Sequence, residues 1–215
     1  MVHQLNLNNS IFNTFIAELR DENIQKDPLR FRRNLERIGE IFAYEISKTL
    51  TFNAQNVTTP LGVAKESLIV EQPVLATILR AGLPLHIGLL NYFDRAENAF
   101  ISAYRKHTTD DEFEVEIEYL SSPKIDNKVL ILNDPMLASG ASMVLGYEAM
   151  LSKGTPKHTH VVAIIASRKG VEYAKKNLPE NTTFWIGAID EELNDKSYII
   201  PGLGDAGDLA FGVKE

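Results

Sequence analysis

Three stretches of this 215-residue chain place charged or main-chain groups where a ligand can use them. The first is Val129-Leu130-Ile131-Leu132-Asn133-Asp134-Pro135-Met136-Leu137-Ala138-Ser139-Gly140-Ala141-Ser142. An apolar strand ends there in a polar pair, and a loop of small and hydroxyl residues opens a helix beginning near Ser142. Such a turn aims backbone N–H groups and two hydroxyls at one spot, and the helix dipole favours an anion, so a phosphate fits. Asp134, at the carboxyl end of the strand, would face the same ligand and accept hydrogen bonds from sugar hydroxyls. An ordinary strand-to-helix turn with Ser142 as N-cap accounts for the same residues. A Walker loop is excluded, because no Gly-Lys-Ser/Thr follows.

The second stretch is Ile78-Leu79-Arg80-Ala81-Gly82-Leu83. Arg80 follows an apolar strand and precedes a small-residue turn, where it is either a plain surface arginine or a planar guanidinium placed to clamp an anionic ligand that the tight backbone lets approach. Arg105, at the end of the next strand, would add a second positive charge. Lys106 and His107 fall in the solvated loop beside it. The third stretch, Tyr198-Ile199-Ile200-Pro201-Gly202-Leu203-Gly204-Asp205-Ala206-Gly207-Asp208, is followed by Gly212. With this much glycine and a proline it is neither a regular helix nor a central strand, but a shaped loop that exposes its main chain. Phe211 either stacks on or walls a flat ligand held in that loop, or is a plain core phenylalanine.

The elements that position these groups read as an α/β fold. Apolar runs at Val74 to Leu79, Ala99 to Tyr104, Val129 to Leu132, Val161 to Ala166 and Phe184 to Ile189 alternate with helical patterns at Leu83 to Phe93, Ser142 to Leu151 and Lys169 to Leu178. That alternation predicts a mostly parallel sheet covered on both faces, with ligands at the carboxyl ends of the strands. Two packing helices precede it. Ile11, Phe12, Phe15, Ile16 and Leu19 share one face behind a cap at Asn9 or Ser10. Asp27-Pro28 then starts a second helix carrying Phe31, Leu35, Ile38, Phe42 and Ile46. A turn at Thr59-Pro60-Leu61-Gly62 predicts a hairpin over residues 56 to 70. The polar stretch Lys106 to Glu112 predicts a mobile loop. It runs into an exposed antiparallel arm carrying Phe113, Val115, Ile117 and Tyr119.

Composition narrows the classes. The length suits one domain spanning residues 1–215. With 22 basic against 29 acidic residues, a net charge of -7 disfavours a nucleic-acid-coating surface. The absence of cysteine excludes disulfides, thiolate zinc sites and cysteine nucleophiles. No apolar run approaches the ~18 residues of a membrane span and the N-terminus lacks a leader pattern, so no membrane partner and a cytoplasmic location are expected.

Over residues 28 to 212 the chain resembles the uracil phosphoribosyltransferases, members of the type I phosphoribosyltransferase fold. The segment at 129–142 resembles their motif for the ribose-phosphate donor PRPP, Asp134-Pro135-Met136-Leu137-Ala138 being the form peculiar to this group. Residues 78–83 match the pyrophosphate loop, Ala103-Tyr104-Arg105 a shorter element, and residues 198–208 the uracil signature. The resemblance implies a central sheet with N-terminal helices, an extended β-arm and a C-terminal base-binding hood. It implies that Arg80, Arg105, Asp134, Pro135, Met136, Leu137, Ala138, Ser139, Gly140, Ala141, Ser142 and Asp205 bind PRPP. Ile199, Gly204, Asp205 and Ala206 would bind uracil, whose acceptor–donor–acceptor edge suits main-chain groups.

The implied reaction displaces pyrophosphate from the anomeric carbon through an oxocarbenium-like transition state, with Arg80 and Arg105 stabilising the departing charge. Asp205 is the candidate for helping the N1 proton of uracil leave. Magnesium is the implied cofactor, held mainly by the donor's own oxygens with Asp134 or Asp205 acting through water. A homodimer or larger homo-oligomer is implied too, with the arm at 113–120 as its contact. Alternatives on the same fold are a PRPP- or nucleotide-sensing regulator and a transferase for another base. The sequence departs from the usual motif at Asn133 (normally aliphatic), at Ser139 (normally threonine), at Ala141 (commonly glycine) and in the loop after Arg105. Ser139 keeps the hydroxyl. Ala141 would cost on the order of 1 kcal/mol if its backbone needs positive φ.

Overall fold

A computed structural model describes residues 1–107 and 113–214, apart from the side chains of residues 103–116. The sequence forms β1 (Val2–Gln4), α1 (Ile11–Arg20), α2 (Pro28–Ser47), β2 (Phe52–Thr59), β3 (Gly62–Ile69), β4 (Val74–Leu79) and α3 (Leu83–Tyr92). It continues with β5 (Glu97–His107), β6 (Phe113–Ser121), β7 (Val129–Asn133), β8 (Met136–Leu137), α4 (Ala141–Met150), β9 (His158–Ser167) and α5 (Arg168–Asn177). The chain ends in β10 (Thr182–Asp190), β11 (Glu192–Leu193), β12 (Ile199–Ile200) and α6 (Ala206–Phe211).

The central sheet has the order β1-β10-β9-β7-β4-β5-β6, and β8 extends the β7 edge of β9. Every pair is parallel except β5 with β6. Helices cover both faces because the central strands are apolar on both. Leu75, Ile131 and Val162 pack with α1, α2 and α3. Their neighbours Val74, Ala76, Leu130, Leu132 and Val161 pack with α4 and α5 on the other face. Alternate residues therefore feed two separate cores, as the pleat requires. Ile199, Leu203, Ala206 and Ala210 join the first of these cores. That burial ties the C-terminal segment to the sheet.

Both N-terminal helices start where their caps predict. Ser10 Oγ accepts from the Phe12 N–H, and Asp27 accepts from the N–H groups of Leu29 and Arg30 behind Pro28. The apolar stripe of α2 is buried throughout, from Phe31 to Ile46. On α1, Phe12, Ile16 and Leu19 are buried, but Ile11 points outward.

Two expectations shift. The hairpin is longer than 56–70, pairing Phe52 with Ile69 through to Thr59 with Gly62. It is also a separate two-stranded sheet, exposed along most of both strands. The strand at 113–121 instead forms the edge of the central sheet against β5, where Ile117 and Leu120 pack on the core. Alternation in a sequence reveals that one face is covered, but not which sheet covers it.

Candidate active site

The carboxyl end of β7 is shaped by interrupted pairing. The Asp134 N–H donates to Val162 O (3.1 Å), and Pro135 O accepts from the N–H groups of both Ile164 and Ile165 (3.0 Å each). Pairing with β9 resumes at β8, so residues 134 and 135 bulge from the edge. Asp134 Oδ1 accepts from the Met136 N–H at 3.1 Å, which folds the bulge back on itself. Ser167 Oγ donates to Ala138 O (2.6 Å) and accepts from the Gly170 N–H (2.8 Å), fastening the loop to the start of α5. A Cβ on Gly170 would lie 2.2 Å from Ala138 O, so only glycine permits this approach.

Positive φ in this loop falls on Gly140, at 85°, which precedes the first residue of α4. Ala141 already lies within the helix, so the strain expected there does not arise. Ser142 is not the N-cap, since Gly140 holds that position. The helix starts one residue early because the left-handed turn at Gly140 redirects the chain.

Arg80 follows β4 across a cis peptide bond with Leu79. The turn closes through Gly82 N–H to Ile78 O (3.1 Å) and Leu83 N–H to Arg80 O (3.2 Å). The Arg80 Nη2 donates to Asp208 Oδ1 (3.1 Å) and to Gly212 O (2.8 Å), while its Nε is buried without a partner. The strand loop and the C-terminal segment are thereby joined through one side chain.

The C-terminal loop begins with a cis Ile200–Pro201 bond and takes positive φ at Gly202 (55°) and Gly204 (91°). It ends at Asp205, whose carboxylate caps α6 by accepting from the Asp208 N–H at 3.0 Å.

These segments meet at one cleft of about 510 Å³. Asp134, Met136 to Gly140 and Ser142 form one wall; Gly204 to Gly207 form another, and Arg80 and Ala81 lie between them. Of the expected residues, Pro135 and Ala141 do not reach it. Ile199 is buried in the core and pairs with Leu193, and Phe211 is exposed outside the cleft. The side chains of Arg105, Lys106 and His107 and the loop Thr108 to Glu112 lie outside the described residues. Sequence reasoning missed Lys196, Ser197 and Lys214, all on the lining. A lysine beside a glycine-rich loop was the available signal, but surface lysines are too common for it to stand out.

With Arg80, Lys196 and Lys214 against Asp134 and Asp205, the charged lining is net positive on a chain of net charge -7. Such a cleft draws anions despite the acidic surface. Histidines held below their ordinary range, His86, His158 and His160, do so chiefly through burial and lie away from the cleft.

The family model described as uracil phosphoribosyltransferase matches residues 7–213. The chain belongs to the uracil phosphoribosyltransferase family. A family member from Porphyromonas gingivalis is 57% identical over 213 residues, 99% of both chains. Another from Methanothermobacter thermautotrophicus is 42% identical over 188 residues, 86% of this chain and 85% of that one. Among solved structures, a protein from Aquifex aeolicus superposes with a TM-score of 0.87 at 28% identity, covering 100% of this chain and 99% of that one. A hypoxanthine phosphoribosyltransferase from Staphylococcus aureus (TM-score 0.50, 16% identity, 75% of this chain and 76% of that one) shares the fold.

Proposed function

We propose that this family member is a cytoplasmic uracil phosphoribosyltransferase, joining uracil to PRPP to give UMP and pyrophosphate. The observation that carries the reading is that residues of the 134–142 loop and residues 204–207 line one shared cleft. Two adjoining seats are what a sugar phosphate and a flat base require. On this reading the loop from Asp134 to Ser142 receives the 5′-phosphate and ribose. Arg80 moves from Asp208 to the diphosphate, where a guanidinium fork suits the departing charge. The main chain at Gly204 to Ala206 matches the pyrimidine edge and turns away cytosine, whose amine would meet a donor. Asp205 sits at the junction of the two seats and is the candidate acceptor for the N1 proton.

Among the described residues no cluster of three or more His, Cys, Asp or Glu could cage a metal. Two carboxylates facing an otherwise cationic cleft suit an ion that arrives on its substrate. Magnesium bound to the donor would neutralise diphosphate charge, with Asp134 and Asp205 reaching it through water.

Homodimerisation is part of the proposal. The β2–β3 hairpin leaves Leu61 and Val63 99% and 66% exposed, which a second copy would cover. The reading is tested by UMP formation from uracil and PRPP with magnesium. Asp134→Asn and Asp205→Ala should each lose activity by at least about tenfold; rates equal to the unaltered protein would remove the site assignment.

A further inference from the structure

Arg20 closes α1, a helix whose sequence reads as packing alone. Its guanidinium meets Asp190 end-on, Nη1 to Oδ2 and Nη2 to Oδ1, both at 2.8 Å. The Arg20 Nη1 also donates to Gly202 O at 2.9 Å, and Asp190 Oδ2 accepts from the Gly202 N–H at 3.0 Å. Both main-chain groups of one loop residue are therefore fastened to a single ion pair. The anchor is firm on each side: Asp190 is 8% exposed at the end of β10. Gly202 has φ of 55°, and a Cβ there would lie 2.1 Å from Ile199 O. Two residues further on, the chain reaches the cleft at Gly204.

We infer that Arg20 and Asp190 are positioning residues for recognition of the pyrimidine. They hold Gly202 so that the main chain of residues 204–206 meets the base edge at the right height. The inference rests on the reading of residues 204–206 as the base seat. Main-chain recognition is unforgiving, because the loop cannot swing a side chain to make up an error; productive geometry tolerates about 0.5 Å. Arg80 and the phosphate loop hang from β4 and β7, whereas the tether hangs from α1 and β10. Damage to the tether should therefore be felt chiefly by the base, and far less by PRPP, whose contacts come mainly from the β4 and β7 loops and only at Asp205 from the tethered segment.

Steady-state kinetics with uracil and PRPP varied separately test this on Arg20→Gln, Asp190→Asn, Arg20→Lys and Gly204→Val. Losing the charge-assisted contacts in Arg20→Gln or Asp190→Asn should raise KM for uracil by about tenfold. KM for PRPP should stay within about twofold in both. Arg20→Lys, which returns the charge without the fork, should recover part of the loss. Should Arg20→Gln fail to fold, Asp190→Asn, which keeps the side-chain shape, carries the comparison. An unchanged KM for uracil in the folded variants, or both KM values rising together, overturns the inference. Gly204→Val strains the base loop itself at φ of 91°. If it raises KM for uracil while the tether variants do not, the tether alone fails. If it too leaves that KM unchanged, the base-seat reading falls.

Discussion

Thr77 within β4 and Asn133 at the end of β7 stand opposite each other, both fully buried, with Thr77 Oγ1 donating to Asn133 Oδ1 at 2.9 Å. The Asn133 Nδ2 donates to Ala76 O at 2.8 Å, so both ends of the amide are used. The two side chains form a buried polar pair that satisfies itself. A Cβ on Gly82 would fall 2.2 Å from Thr77 Oγ1, so the turn behind Arg80 rests on this pair. Thr77→Val leaves the amide oxygen buried and unpaired, and Asn133→Val does the same to the hydroxyl. Each should destabilise by about 1–3 kcal/mol, and Thr77→Val/Asn133→Val by clearly less than the sum. Urea denaturation of the four proteins measures the coupling.

Gly140 and Ala141 make opposite predictions one residue apart. A Cβ on Gly140 would sit 2.8 Å from Gly170 O at φ of 85°. Gly140→Ala should therefore cost at least about 1–2 kcal/mol of stability and raise KM for PRPP, because the loop must lift off α5. Ala141→Gly offers the loop no freedom it needs, because the positive φ falls on Gly140. Its KM for PRPP should match the unaltered protein, with a stability loss of no more than about 1 kcal/mol from helix propensity.

This contrast marks what was legible in the sequence. Val161 to Ala166 read as a covered strand because an unbroken apolar run has no polar face to show water, and all six are buried. The phosphate loop was legible because a buried strand ending in small and hydroxyl residues is a local pattern. The positive φ at Gly140 was not placed, since Gly140 and Ala141 are both compatible with the turn until Gly170 is packed beneath it. The tether was invisible for a different reason. Arg20 and Asp190 lie 170 residues apart, and each alone is an ordinary charge at the end of an element.

Arg80 is engaged by Asp208 and Gly212, so a diphosphate must displace both contacts before it can take Nη2. The ion pair is partly exposed and adds little to stability. Its effect belongs in binding. Asp208→Asn should lower KM for PRPP, because a neutral amide releases the guanidinium more readily than a carboxylate. Arg80→Ala should raise the same KM by at least about tenfold, through loss of a charge-assisted contact. Initial rates at varied PRPP decide both; a rise in KM for Asp208→Asn would mean that the carboxylate helps to hold Arg80 for the donor.

Stability should depend on pH through a group remote from the cleft. His160 is buried on β9, its Nδ1 accepting from the Trp185 Nε1–H at 3.0 Å. Burial, then repulsion from His158 and His3, pushes its pKa from 6.5 down to about 3. The folded protein thus keeps His160 neutral where the unfolded chain takes up a proton. The stabilisation from neutral His160 is full above pH 6.5, and it is lost as pH falls towards the folded value. The slope approaches about 1.4 kcal/mol per pH unit below the unfolded pKa. His158 and His86, also lowered chiefly by burial, add in the same direction. Protonating Nδ1 would also leave the indole N–H facing a donor, so the histidine cannot charge without breaking this contact. Thermal melts from pH 7.5 to 5 should show a falling midpoint, and His160→Gln should have a shallower fall over that range. A midpoint for His160→Gln that falls as steeply as for the unaltered protein would assign the acid sensitivity to other groups.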